Sequence, residues 1–274
     1  MMANRRENPF DIVFTDVDGT LCDDGHQPIA QSVPAIARLS ELGIPLCLVS
    51  ARMPEGLTPI QEALGFSGPL VCYSGAYVLD ETGSVLESHP IGIDVAAEVK
   101  EFLATELPEV CCNVYGYHDW VVDDDQDPRV RNEEGLVHVK AEVAHDLGAR
   151  FGERGVHKFL LMGEPAQIDA ARARVSAEYP ELNVVPSSPI LLEIMSGEAS
   201  KGEGVRAVCA RFGIDPSRSA AFGDGLNDLD MFAAVGHAFA MANAVPEVKA
   251  AAAETIPWTN DQNGVARTIL ERLV

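Results

Sequence analysis

The sequence predicts an α/β protein in which a doubly wound, mostly parallel sheet is interrupted by a smaller α+β insertion. Three observations point there. Strand-like and helix-like segments alternate near the N-terminus, and the same alternation returns after Lys201. Between them lie helices mixed with alternating, half-exposed strands. A length of 274 residues suits one main domain with a smaller companion. The expected boundaries are residues 1–85 and 191–274 for the main domain and 86–190 for the insertion.

Asp11–Thr15 is a short β-rich run that stops at an acidic turn. Ile29, Val33, Ile36, Leu39 and Leu42 keep helical spacing, closed by Gly43 at a C-cap position. Ile44–Val49 is continuously apolar, as a strand covered on both faces must be. A helix over Pro54–Leu64 leads to a third buried strand, Pro69–Tyr73, and then to a hairpin of Ala76–Leu79 and Ser84–Glu87. The insertion reads as a helix (Val95–Leu107), strands around Val110–Tyr117 and Trp120–Val122, and an acidic loop. A strand (Val156–Met162), a helix (Ala166–Tyr179) and strands near Val184 and at Leu191–Ile194 complete it. The main domain resumes with a helix over Gly202–Phe212, strands Ser219–Phe222 and His237–Met241, and helices after Pro246 and up to Leu273.

Hydrophobic residues make up 47% and charged residues 23%, which excludes disordered and collagen-like chains. Lys and Arg total 20 against 42 Asp and Glu, a net charge of −22. That field repels phosphate backbones, so neither nucleic acid nor an anionic membrane is an expected partner. No apolar run reaches the roughly 20 residues a membrane span needs. The N-terminus lacks the apolar region and cleavage site of a signal peptide. Six cysteines without a C-x-x-C pair read as reduced, mostly buried thiols of a cytoplasmic protein. Oligomeric state is not legible.

Asp16-Val17-Asp18-Gly19-Thr20 directly follows a buried strand, where open α/β sheets bind ligands. Gly223-Asp224-Gly225-Leu226-Asn227-Asp228 stands in the same position after a second strand. Acids on neighbouring strand ends repel unless a cation joins them, and hard oxygen ligands favour Mg²⁺. Either cluster alone is also an ordinary Asp/Gly turn or an N-cap. Ser50-Ala51-Arg52 follows another buried strand and offers a hydroxyl and backbone N–H groups to an anion, and Lys201 precedes a helix where its ammonium could meet a phosphate.

These stretches, DIVFTDVDGTL, LVSAR, SKGEGV and AFGDGLNDLDMF, stand in the order found in haloacid dehalogenase superfamily phosphatases. The chain resembles the Cof-type group, which carries an α/β cap inserted after the third strand of a Rossmann-like core. Met241–Lys249 and Asn263–Ala266 resemble that group's tail, while the insertion matches in pattern more than in residues. The resemblance implies Asp16 as the nucleophile that becomes an aspartyl-phosphate, and Asp18 as general acid and base. It further implies Mg²⁺ held by Asp16, the Asp18 carbonyl and Asp224, with Asp228 acting directly or through water, and phosphoryl oxygens bound by Val17, Ser50, Ala51, Lys201 and Asn227. Two departures from the group's pattern are Ser74, where Asn is usual before Gly-Ala, and Ser50-Ala51-Arg52 in place of Thr-Gly-Arg; the hydroxyl survives.

The expected activity is Mg²⁺-dependent hydrolysis of small phosphorylated metabolites, sugar phosphates foremost, with nucleotides and pyridoxal phosphate open. Arg52 and an aromatic group in the insertion, Tyr115, Tyr117 and Trp120, are the candidates for substrate specificity. A phosphomannomutase-like phosphomutase with the same fold and a non-catalytic receiver-like module are the competing readings. Gly202-Glu203-Gly204-Val205-Arg206-Ala207 fits G-x-G-x-x-A, but it does not follow a tight strand-to-helix turn, which argues against dinucleotide binding. The acidic run Asp123–Asp125 with Asp127 lacks the glycine and distant glutamate of a calcium loop.

Overall fold

The computed structural model describes residues 9–274; residues 1–8, on which most of the N-terminal reading rests, lie outside them. Among the described residues, fourteen strands form two sheets. They are β1 (Ile12–Thr15), β2 (Leu46–Val49), β3 (Leu70–Cys72), β4 (Tyr77–Leu79), β5 (Val85–Ser88), β6 (Cys111–Gly116) and β7 (Asp119–Val122). The rest are β8 (Glu142–Val143), β9 (Lys158–Met162), β10 (Leu182–Ser188), β11 (Leu191–Ser196), β12 (Ser219–Gly223), β13 (His237–Ala240) and β14 (Glu254–Thr255). The chain divides into two compact units. One holds the chain up to Ala51, Leu57–Glu87 and Ser200–Val274; the other holds Arg52–Gly56 and Ser88–Ala199.

The first unit is the doubly wound α/β domain that the sequence predicts. Its sheet runs β14-β13-β12-β1-β2-β3-β4-β5. The strands from β14 through β3 are parallel, and β4 turns back antiparallel on β3. Every residue of β1, β2 and β12 is buried, which is why these segments are apolar without alternation. From β1 the chain order moves one way through β2 and β3 and the other way through β12 and β13. The crevice at the carboxyl ends of β1 and β12 is therefore the switch point where such sheets bind ligands.

A turn after β3 seats the returning chain. Tyr73, Ser74 and Gly75 all have positive φ (49°, 53° and 100°), and a Cβ on Gly75 would stand 1.9 Å from the Ser200 carbonyl oxygen. Only glycine permits that approach, immediately before the helix Lys201–Phe212. A Cβ on Gly204 would lie 2.4 Å from Val71, so this glycine lets the same helix press onto β3. The G-x-G-x-x-A pattern thus has a packing role here.

The second unit carries the sheet β10-β11-β9-β6-β7-β8, whose apolar face is covered by the helices Ile93–Glu106 and Pro165–Glu178. Val99 and Leu103 of the first helix and Ile168 and Val175 of the second join Val114, Phe159, Leu161 and Ile194 of the sheet in one core. The insertion runs from Ser88 to Ala199, not from 86 to 190 as expected, because Leu191–Ser196 pairs with β10 and β9. The acidic loop also holds an unexpected helix, Pro128–Val137, and β8 follows it. This helix buries little beyond Val130 and Glu134, so no apolar stripe marked it. Its sequence signal is Asp127-Pro128: the Asp127 carboxylate caps the helix by accepting from the Arg129 N–H, with proline in the first turn.

His157 is fully buried in this unit. Its Nδ1 accepts the Tyr117 N–H at 3.0 Å, and its Nε2 stands 2.9 Å from the Ser88 hydroxyl. Burial first, then the charges of His89 and Arg154, push its pKa down to about 4. The folded state therefore keeps the ring neutral while the unfolded chain protonates near its ordinary value. Stability is complete above that value and falls as pH drops toward about 4. Between pH 7 and pH 5 this single group is expected to cost about 2 kcal/mol. Urea unfolding of the protein and of His157→Gln at both pH values checks this, since the variant should lose less over the interval.

Candidate active site

Two loops at the switch point build the site. β1 pairs with β12 in a register that sets Thr15 opposite Phe222, and the Asp16 N–H continues the ladder by donating to the Phe222 carbonyl at 2.9 Å. Asp16 consequently lies beside Gly223, the last residue of β12, and Asp224 follows it out of the sheet. The two loops touch closely: Gly19 has φ +75°, and a Cβ there would lie 2.5 Å from the Asp224 carboxylate. The Thr20 hydroxyl donates to Asp224 Oδ1 at 2.7 Å.

Lys201 is the charge at the centre. Its ammonium is 1% exposed and donates to Asp16 Oδ1 at 2.8 Å and Asp228 Oδ1 at 2.7 Å. Asp228 is itself fully buried, and its Oδ2 accepts the N–H groups of Asp224 and Gly225. One carboxylate thus folds the Gly223–Asp228 loop and anchors the lysine. Ser200 caps the helix by accepting the Glu203 N–H, which fixes where Lys201 leaves the backbone.

Asp16, Asp224 and Asp228 can each place a carboxylate oxygen within 4.8 Å of the others. Three acids crowd one ammonium, and the imbalance shows in Asp16 and Asp224. Burial pushes Asp16 well above the usual carboxylate range, with Asp228 and Asp224 adding to it against the pull of Lys201. Burial likewise pushes Asp224 up to about 6, opposed by the Thr20 hydrogen bond. A hard divalent cation among these oxygens would favour the ionised forms, so the donor set fits such an ion.

Most of the other predicted site residues lie at these strand ends. Val17 is buried directly after Asp16. Ser50, 2% exposed, follows β2, the other parallel neighbour of β1, with its N–H donating to Val71 and its carbonyl accepting from Ser74. Ala51 is half-buried beside it, and Asn227 is half-buried in the short turn Leu226–Asp228. Arg52, Tyr115, Tyr117 and Trp120 belong to the second unit. Tyr115 stacks on Trp120 at 5.3 Å, with the Lys158 ammonium 4.7 Å from its ring centre. The Trp120 indole donates to Asn113, and the Tyr117 hydroxyl donates to the Arg154 carbonyl.

The structure adds three residues to which sequence reasoning gave no role. Besides the Thr20 contact, the Asn243 amide donates to the Gly19 carbonyl at 2.7 Å, and His26 Nδ1 lies 2.7 Å from Asp18 Oδ1. Asn243 lies just past the end of β13, another parallel strand, so the rule of strand ends that found Asp16 would have found it.

With this geometry in view, residues 13–269 match the family described as haloacid dehalogenase-like hydrolase. A Haemophilus influenzae protein described as "Putative phosphatase" is 32% identical over 260 residues, covering 95% of this chain and 97% of the relative. The HMP-PP phosphatase of Yersinia pseudotuberculosis is 25% identical over 238 residues, 85% of this chain and 84% of that one. A solved structure of a haloacid dehalogenase-like hydrolase from Bacteroides thetaiotaomicron matches with TM-score 0.86 and 25% identity, covering 95% and 98% of the two chains. The chain belongs to the haloacid dehalogenase-like hydrolases of the Cof type and is a phosphatase.

Proposed function

We propose that this phosphatase is Mg²⁺-dependent and hydrolyses small phosphorylated metabolites, sugar phosphates foremost, through a phosphoryl group carried on Asp16. The observation that carries the reading is the convergence of Asp16, Asp224 and Asp228 around Lys201 at the switch point. A carboxylate oxygen of Asp16 attacks phosphorus as the bond to the leaving oxygen breaks, and Asp18 hands that oxygen a proton. In the second step Asp18 takes a proton from the attacking water as the phosphorus–Asp16 bond breaks. Asp16, the Asp18 carbonyl, Asp224 and Asp228 are the groups that would hold Mg²⁺, which supplies charge neutralisation for an anionic substrate. Lys201, Ser50, Asn227 and the backbone at Val17 and Ala51 orient the phosphoryl oxygens. The candidates for leaving-group selection are Arg52, Tyr115, Tyr117 and Trp120, all in the second unit. Six free cysteines fit a reducing, cytoplasmic setting.

The test is phosphate release from p-nitrophenyl phosphate and from a panel of phosphorylated metabolites. Chelating the metal is expected to lower release by at least about 100-fold, with recovery on added Mg²⁺. Turnover indifferent to chelation overturns the metal requirement. Conversion of a hexose phosphate to its isomer without free phosphate overturns hydrolysis in favour of a mutase.

A further inference from the structure

We propose that His26 is a positioning residue for Asp18, holding one carboxyl oxygen so that proton transfer to the leaving group falls to the other. The inference rests on the acid/base reading of Asp18 given above. His26 Nδ1 is 2.7 Å from Asp18 Oδ1, eight residues away along the chain. A histidine N–H in that place stays bonded to the same oxygen whether the carboxyl is ionised or protonated. It thereby fixes the rotation of the carboxyl group.

The loop that delivers His26 is built for the purpose. His26 has φ 60°, an unfavourable conformation for a residue with a Cβ, which persists only where the surroundings over-determine it. Here they do. Asp23 Oδ1 accepts the N–H groups of Gly25 and Gln27 at 2.9 Å, and the His26 N–H donates to the Asp23 carbonyl. From the C-terminal part of the chain, the Asn260 amide donates to the Cys22 carbonyl and to Asp24 Oδ1, and Asp261 accepts the Asp24 N–H. A loop clamped at Cys22, Asp23, Asp24 and Gln27 presents one imidazole to one carboxylate. Proton transfer depends steeply on such orientation.

An experiment on leaving groups separates this role from a general structural one. A nitrophenolate leaves without a proton, whereas the alkoxide of an alkyl phosphate does not. The ratio kcat/KM reports the steps up to departure of the leaving group. His26→Gly removes the imidazole and suits the positive φ. It is expected to lower kcat/KM about tenfold for an alkyl phosphate such as glycerol phosphate and less than about twofold for p-nitrophenyl phosphate. His26→Asn, which keeps an N–H donor and tolerates that φ, is expected to lose less on the alkyl ester, and it carries the test if the glycine variant does not fold. Equal loss on both esters, or loss on neither, overturns the proposal. Asp18→Asn is run beside them and should show the same selectivity in larger measure. If it does not, the acid role of Asp18 falls and the proposal with it. If Asp18→Asn is selective and the His26 variants are not, the His26 inference alone fails.

Discussion

Asp16→Asn is expected to lose turnover by about 10⁴-fold or more while remaining folded. The substitution preserves shape and replaces a carboxylate oxygen with an amide, which is a poor nucleophile. Folding should survive because Asp16 is one of three crowded carboxylates, and burial with the charges of Asp228 and Asp224 already disfavours its ionised form. Lys201 keeps its second partner, Asp228, at 2.7 Å. Steady-state phosphate release measures the loss. Acid-quenched protein incubated with labelled substrate should carry phosphate in the wild type and none in the variant. A folded Asp16→Asn enzyme with wild-type rate would sink the nucleophile assignment.

Lys201→Met should cost about 3–5 kcal/mol of stability, because it strands buried negative charge. The wild-type ammonium survives burial only through its neighbours. Burial opposes the charge, but Asp16 and Asp228 more than offset it and raise the pKa above the usual lysine value. Remove the cation, and Asp228, fully buried, faces Asp16 with nothing between them. Urea unfolding in the presence of a chelator reads the cost without help from a bound metal. Combining Lys201→Met with Asp228→Asn should restore part of it, since the second change deletes one of the stranded charges. A loss below about 1 kcal/mol would mean that the three groups are not coupled as their distances imply.

The acid loops were legible because each is a break in a simple pattern: a short apolar strand ending abruptly in carboxylates and glycine. β1 and β12 are buried on both faces, so their sequence has no reason to be polar until the sheet ends. That Lys201 stands between Asp16 and Asp228 was not legible, because a lysine before glycine carries no local sign of burial. His26 was missed for a related reason. Its value comes from a turn with positive φ that points it back at Asp18, and periodicity says nothing about turns of that kind. The late boundary at Ala199 has another cause. The strand Leu191–Ile194 reads as part of the insertion, but nothing in its sequence marks how far past it the inserted unit runs; pairing with β9 and β10 carries β11 to Ser196 and the unit to Ala199. The strand expected around Val110–Tyr117 ends at Gly116, and Tyr117 lies past it with φ 58°.

The pairing of β1 with β12 also governs the order of events during synthesis. Residues 12–15 leave the ribosome early, but their partner, residues 219–223, emerges only after the whole insertion has been made. The inserted sheet needs nothing beyond Ser196 for its own pairing, so it can close while β1 still lacks one flank. Closing so long a loop is slow, and the wait leaves an apolar strand edge open. The nascent chain thus lacks the Asp16–Asp224–Asp228 cluster until residues 224–228 emerge, and until then the buried strand β1 waits with an open edge for a chaperone to cover.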